Sequence, residues 1–130
     1  MPTNSDQRAD RHTERMKLTA KDIVAGEFGL GSAQRILHTI AAYQVKYSQW
    51  PTGLSIDADM AEAVKSEILT PMGWKMLHQK LKVDYDAKGT VIASGPKGRF
   101  DYEDYDSNSE HTVPAVDEWI WGVNLRERNV

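Results

Sequence analysis

The 130 residues carry 16 Lys and Arg against 19 Asp and Glu, for a formal net charge of -3, and include no cysteine. That balance gives no broad positive field for nucleic acid, and a chain without thiols excludes disulfides, thiolate catalysis and Cys-ligated metals. The length suits one domain that buries about two-thirds of the surface its unfolded chain would expose.

Residues 1–17 are polar, mixed in charge and without periodicity, a composition that predicts a mobile tail ahead of a single domain over 18–130. The start holds no apolar stretch of signal-peptide type, and nowhere do eighteen apolar residues run together, so a soluble, cytoplasmic protein is expected. Thr19 suits the cap of a short helix ending near Gly26, where GEFGLG (26–31) breaks the pattern.

Ser32 is a good N-cap for a helix from Ala33 to about Gln49, with Ile36, Leu37, Ile40, Tyr43 and Tyr47 on one face and Arg35, His38, Ala42 and Gln49 on the other. Pro51 sets its limit at or before Trp50, which is expected to fold back on the core. Asp57 or Asp59 can cap a second amphipathic helix containing Met60, Ala63, Val64 and Ile68. Thr70-Pro71 starts a third, to Leu81, with Trp74, Leu77, His78 and Leu81 on one side.

Beyond Leu81 the apolar period changes from helical to alternating. Val83–Tyr85 and Thr90–Ala93 flank a turn ending in Gly89, which predicts a hairpin. Gly95-Pro96-Lys97-Gly98 turns into Arg99–Tyr102, and Asp117–Val123 reads as a fourth strand. The expected class is α+β, with N-terminal helices on one face of a small, three- to four-stranded antiparallel sheet.

The helix end Tyr47-Ser-Gln-Trp50-Pro51-Thr52, followed later by a small antiparallel meander, resembles the soluble part of type IV pilin-like proteins. The resemblance covers the helix end and the order of elements. This chain does not show the apolar N-terminal helix by which that family is anchored and assembled, so the likeness is one of architecture.

Four groups of residues invite a functional reading. Asp101, Tyr102, Glu103, Asp104, Tyr105 and Asp106 join four carboxylates to two flat amphipathic rings, a composition suited to a basic partner. The same acids lack the glycine and closing glutamate of an EF-hand loop, which argues against calcium. Trp119 and Trp121, two apart on the expected strand, suit either a partner or the core. Gly29, Gly31, Ser32 and Arg35 lead into the principal helix, where free N–H groups can hold an anion, although no P-loop or dinucleotide fingerprint is present. The histidines His12, His38, His78 and His111 have no metal-ligand spacing, and no serine lies in a nucleophile elbow.

These features rank a non-enzymatic interaction protein first: an inhibitor, immunity-type or assembly factor that binds another protein, uses no cofactor or metal, and leaves self-association open. The alternatives are a small enzyme or ligand-binding domain using His38 or His78 as acid-base with Arg35 as anion clamp, and a virion or filament subunit.

Overall fold

The computed structural model describes residues 15–17, 31–106, 108–121 and 127–129. The expected helix at 19–26 lies outside them. Three residues of the expected tail, Arg15–Lys17 (β1), form a strand that pairs antiparallel with Glu127–Asn129 (β6).

The principal helix, α1, runs from Gly31 to Tyr47. It ends as Ser48 takes a left-handed conformation, φ 58°, with its N–H on the Gln44 carbonyl at 2.8 Å. The expected polar face is corrected: Ala33, Ile36 to Tyr43 are all buried, His38 and Ala42 among them. One side of α1 packs on the sheet and another on the last helix, and Ala33, Ala41 and Ala42 are small enough for close neighbours around its girth.

After Pro51 the chain enters β2, Gly53–Ile56, a strand concealed in the sequence by its Pro-Thr-Gly opening. Asp57 then caps α2, Ala58–Ala63, accepting from the N–H groups of Asp59 (2.9 Å) and Met60 (3.2 Å). The helix widens into a π-helical turn, Val64–Ile68, and the Leu69 N–H reaches the Val64 carbonyl. Thr70 caps α3, Pro71–Lys80, through its hydroxyl and the Gly73 N–H at 3.1 Å. Leu77 and Leu81 from this stretch enter the core.

The strands that follow are β3 (Lys82–Asp84), β4 (Val91–Gly95) and β5 (Gly98–Asp101). The sheet order is β3-β2-β4-β5. The predicted hairpin between β3 and β4 is therefore corrected: β2 lies between them, parallel to β3 and antiparallel to β4, and the sheet is mixed. Gly89 does adopt the positive φ (71°) expected of its turn, but the turn carries the chain over the end of β2. The Asp57 carboxylate fixes it there by accepting the Gly89 N–H at 2.7 Å. The β4–β5 hairpin forms as expected.

The expected fourth strand at Asp117–Val123 is also corrected over 117–121, because Val113–Ile120 is a helix, α4, and the last two positions of that expected strand lie outside the described residues. Pro114 suits its first turn, and Val113, Val116 and Ile120 recur at helical spacing and are all buried, so the 3.6-residue period overrides the short alternation of Trp119 and Trp121.

The result is an α+β fold with helices on one face of a four-stranded sheet. Leu54, Ile56, Val91 and Ala93 supply the sheet's side of the core, against Ile36, Leu37, Ile40 and Tyr43 of α1 and Ile120 and Trp121 beyond. The other face carries Ser55, Ser94, Lys82, Asp84 and Arg99 toward solvent. No described helix is long and apolar enough to cross a membrane.

Candidate functional site

The segment after β5 turns sharply into a 3-10 turn, Tyr102–Asp104. Asp101 causes the turn: one carboxylate oxygen accepts the Glu103 N–H at 2.9 Å and the Thr90 hydroxyl at 2.6 Å. Asp106 repeats the device, accepting from the Asn108 N–H (3.1 Å) and side-chain amide (2.8 Å). Between these two anchors, Glu103, Asp104 and Asp106 stay exposed while Tyr102 and Tyr105 turn inward and are half-buried.

The rings meet α1. His38 stacks on Tyr105 at 4.4 Å between centroids and 12° between planes, and Tyr102 lies parallel to Tyr105 at 5.9 Å. Arg35, one turn earlier on α1, places its guanidinium carbon 5.5 Å from the Tyr102 centroid. His38 is 5% exposed, and neither ring nitrogen has a hydrogen-bond partner among the described residues. Burial of the imidazole holds its pKa below the ordinary histidine value, with the Glu110 carboxylate pulling the other way. Burial likewise pushes the Tyr105 phenol up. The stack is thus a neutral aromatic wedge that fixes the base of an acidic ridge.

The other sequence candidates separate from this cluster. Trp121 is fully buried and bonds through its indole N–H to the Asp117 carboxylate, which assigns it to the core. Trp119 is half-buried and stacks on Trp50 at 4.5 Å and 8°, with the Lys80 ammonium 5.6 Å from its centroid. The two tryptophans do not share one face, and Trp50 folds back as expected. Of the anion candidates, Gly29 lies outside the described residues, Gly31 is exposed at the start of α1, and Ser32 is half-buried. Arg35 is directed toward the Met60 sulfur (3.8 Å) and Tyr102.

His78 is exposed on α3, although it shares a side of the helix with the buried Leu77. Its Nδ1 lies 2.9 Å from the Trp74 carbonyl and its Nε2 2.8 Å from the Tyr85 hydroxyl, so a neutral ring donates at Nδ1 and accepts at Nε2. His38 and His78 thus sit in different aromatic clusters, and among the described residues no three His, Asp or Glu side chains converge as metal ligands.

Sequence reasoning missed the buried position of His38. The small residues Ala33, Ala41 and Ala42 carried the signal, since they permit neighbours on faces that otherwise look polar. It also missed the pairing of Ser55 with Asp84, which depends on the unrecognised strand β2. The chain matches no protein-family model, no curated protein and no solved structure.

Proposed function

We propose that this chain is a non-enzymatic interaction protein of the cytoplasm that binds a basic surface on another protein through the ridge Asp101–Asp106. The observation that carries this reading is the division of labour in six residues. Tyr102 and Tyr105 are held from below by His38, Asp101 is spent on the turn, and Glu103, Asp104 and Asp106 face solvent without an ion-pair partner among the described residues. A ridge ordered in advance loses little conformational entropy on docking, and its charges speed encounter with a partner of opposite sign.

The test uses a lysine- and arginine-rich peptide as probe. Replacing Glu103→Gln, Asp104→Asn and Asp106→Asn together is expected to weaken its binding about tenfold at low salt and to flatten the salt dependence. Asp101 is left intact because it shapes the turn. Equal binding by the variant and the native chain at both low and high ionic strength would reject the ridge as the docking surface.

A further inference from the structure

The solvent-facing side of the four-stranded sheet holds a groove of about 620 Å³, within the range of small-molecule sites. Its residues are ordered by strand register. Lys82, Gly53, Ser94 and Arg99 are successive partners across β3, β2, β4 and β5, so they form one row over the whole sheet. With strands about 4.8 Å apart, the two cations are anchored about 14 Å from each other, and their long side chains can close on a single group between them. The middle of the row is low: Gly53 has no side chain, and a Cβ there would stand 2.9 Å from the Ser94 hydroxyl. Lys82, Arg99 and the Ser94 hydroxyl have no side-chain partner among the described residues, and all three residues are exposed.

Two residues further along, about 7 Å away, the next outward row contains Asp84, Ser55 and Ile92 and ends on β5 at Asp101, which does not line the groove. This row is acidic and rigid. The Ser55 hydroxyl donates to the Asp84 carboxylate and accepts the Ala87 N–H at 3.1 Å, while the Asp86 N–H donates to Asp84 at 3.0 Å. The Ser55 hydroxyl, followed by that N–H, holds the Asp84 carboxyl below the usual range, so it is ionised and able to accept. Asp86 stands beside it on the groove wall.

We propose that this groove binds a phosphate monoester bearing hydroxyl groups, a sugar phosphate or a nucleotide. The phosphate lies over Gly53, taking charge-assisted hydrogen bonds from Lys82 and Arg99 and one from Ser94. The sugar hydroxyls donate to Asp84 and Asp86 across Ser55. Charge complementarity at both ends selects this class: a bare anion satisfies one row and is repelled by the other, whereas a neutral sugar leaves both cations unpaired. The site shares no residue with the acidic ridge and does not depend on it.

The experiment is calorimetric titration at low ionic strength, with backbone-amide chemical shifts recorded in parallel, using ribose 5-phosphate as probe and inorganic phosphate and ribose as comparisons. Ribose 5-phosphate is expected to bind more tightly than either comparison and to shift the Gly53 and Ser94 amides. Lys82→Gln and Arg99→Gln are each expected to weaken it about tenfold. Asp86→Asn should weaken ribose 5-phosphate without weakening inorganic phosphate. Adenosine monophosphate separates the two sources, since tighter binding than ribose 5-phosphate marks a nucleotide. The proposal is overturned by absence of saturable heat, by full affinity in the Lys82 and Arg99 variants, or by inorganic phosphate binding as tightly as the sugar phosphate.

Discussion

Tyr43 fills the space above Gly95, and its hydroxyl is buried without a hydrogen-bond partner among the described residues. A methyl group at Gly95 would collide with that hydroxyl and come within 3.0 Å of the ring carbon bearing it. Overpacking of this kind costs about 1 to 3 kcal/mol, so Gly95→Ala is expected to lower the unfolding free energy by that amount in denaturant melts. Tyr43→Phe is expected to be neutral or stabilising by up to about 1 kcal/mol, because it removes a desolvated hydroxyl that gains nothing in return. Combining the two should recover part of the Gly95→Ala loss, and strict additivity would show that the ring and the glycine do not touch. Neighbouring Gly98 has φ 152° and lies against Tyr47, whose hydroxyl donates to the Arg99 carbonyl at 3.3 Å. The sequence marks both glycines as a turn but does not show that two α1 tyrosines rest on them, because that meeting depends on the approach of helix to hairpin.

Asp117 is the clearest titrating residue outside the candidate site. Burial pushes its carboxyl up to about 6, against the opposing pull of the Trp121 indole N–H, and Glu118 adds repulsion. A folded-state pKa above the unfolded one means that stability is fully present below about pH 4 and is lost as pH rises through 6. Asp117→Asn, which preserves an acceptor for Trp121, is therefore expected to stabilise the protein at pH 8, by about 1 to 2 kcal/mol once solvent screening of this partly exposed group is allowed for, and to have little effect near pH 4, as read from denaturant melts at the two pH values. His38 has the opposite sign. Its lowered pKa makes the unfolded chain the better proton acceptor, so stability falls as pH drops below 6.5, and His38→Phe is expected to gain on the native chain at pH 5 relative to pH 8.

Among the elements, the caps of α2 and α3 were legible and partners were not, while Ser32, expected to cap α1, lies inside a helix that begins at Gly31. Asp57 and Thr70-Pro71 begin α2 and α3 as their sequence context indicates, since capping is settled within a few residues. The identity of β2 and α4 is settled at longer range. Four residues of β2 contain only Leu54 and Ile56 as inward positions, too short a run to separate from a loop, and become a strand by pairing on both sides. The residues of α4 satisfy either period until Val113, Val116 and Ile120 are set against α1. Of the candidate site, its acidic and aromatic composition was legible; the inward turn of its tyrosines was not, because it requires His38 beneath them.

The stack of Trp119 on Trp50 joins the end of α1 to α4, with Lys80 contributing from α3. A double-mutant cycle with Trp50→Leu and Trp119→Leu is expected to return a coupling energy of about 1 kcal/mol. A coupling indistinguishable from zero would mean that the rings are neighbours without mutual attraction.

On the scale of the whole molecule, the sheet divides two kinds of chemistry. Its covered face meets a helix buried around most of its circumference, and its open face presents graded rows of charge. The acidic ridge extends from one edge strand, β5, whose last residue, Asp101, serves both the sheet and the ridge. Changes confined to Lys82 or Arg99 should leave the ridge's response to salt intact.

The position of β2 also constrains how the molecule can be assembled. The β4–β5 hairpin closes locally, but β3 reaches it only through β2, and β2 meets β3 only after α2 and α3 have brought the chain back. The smallest of the four-strand sheet's internal pieces is thus the clasp on which its two halves fasten. A polypeptide beginning after Asp57 would retain the hairpin and α3, yet leave β3 an orphan with nothing alongside it to zip against.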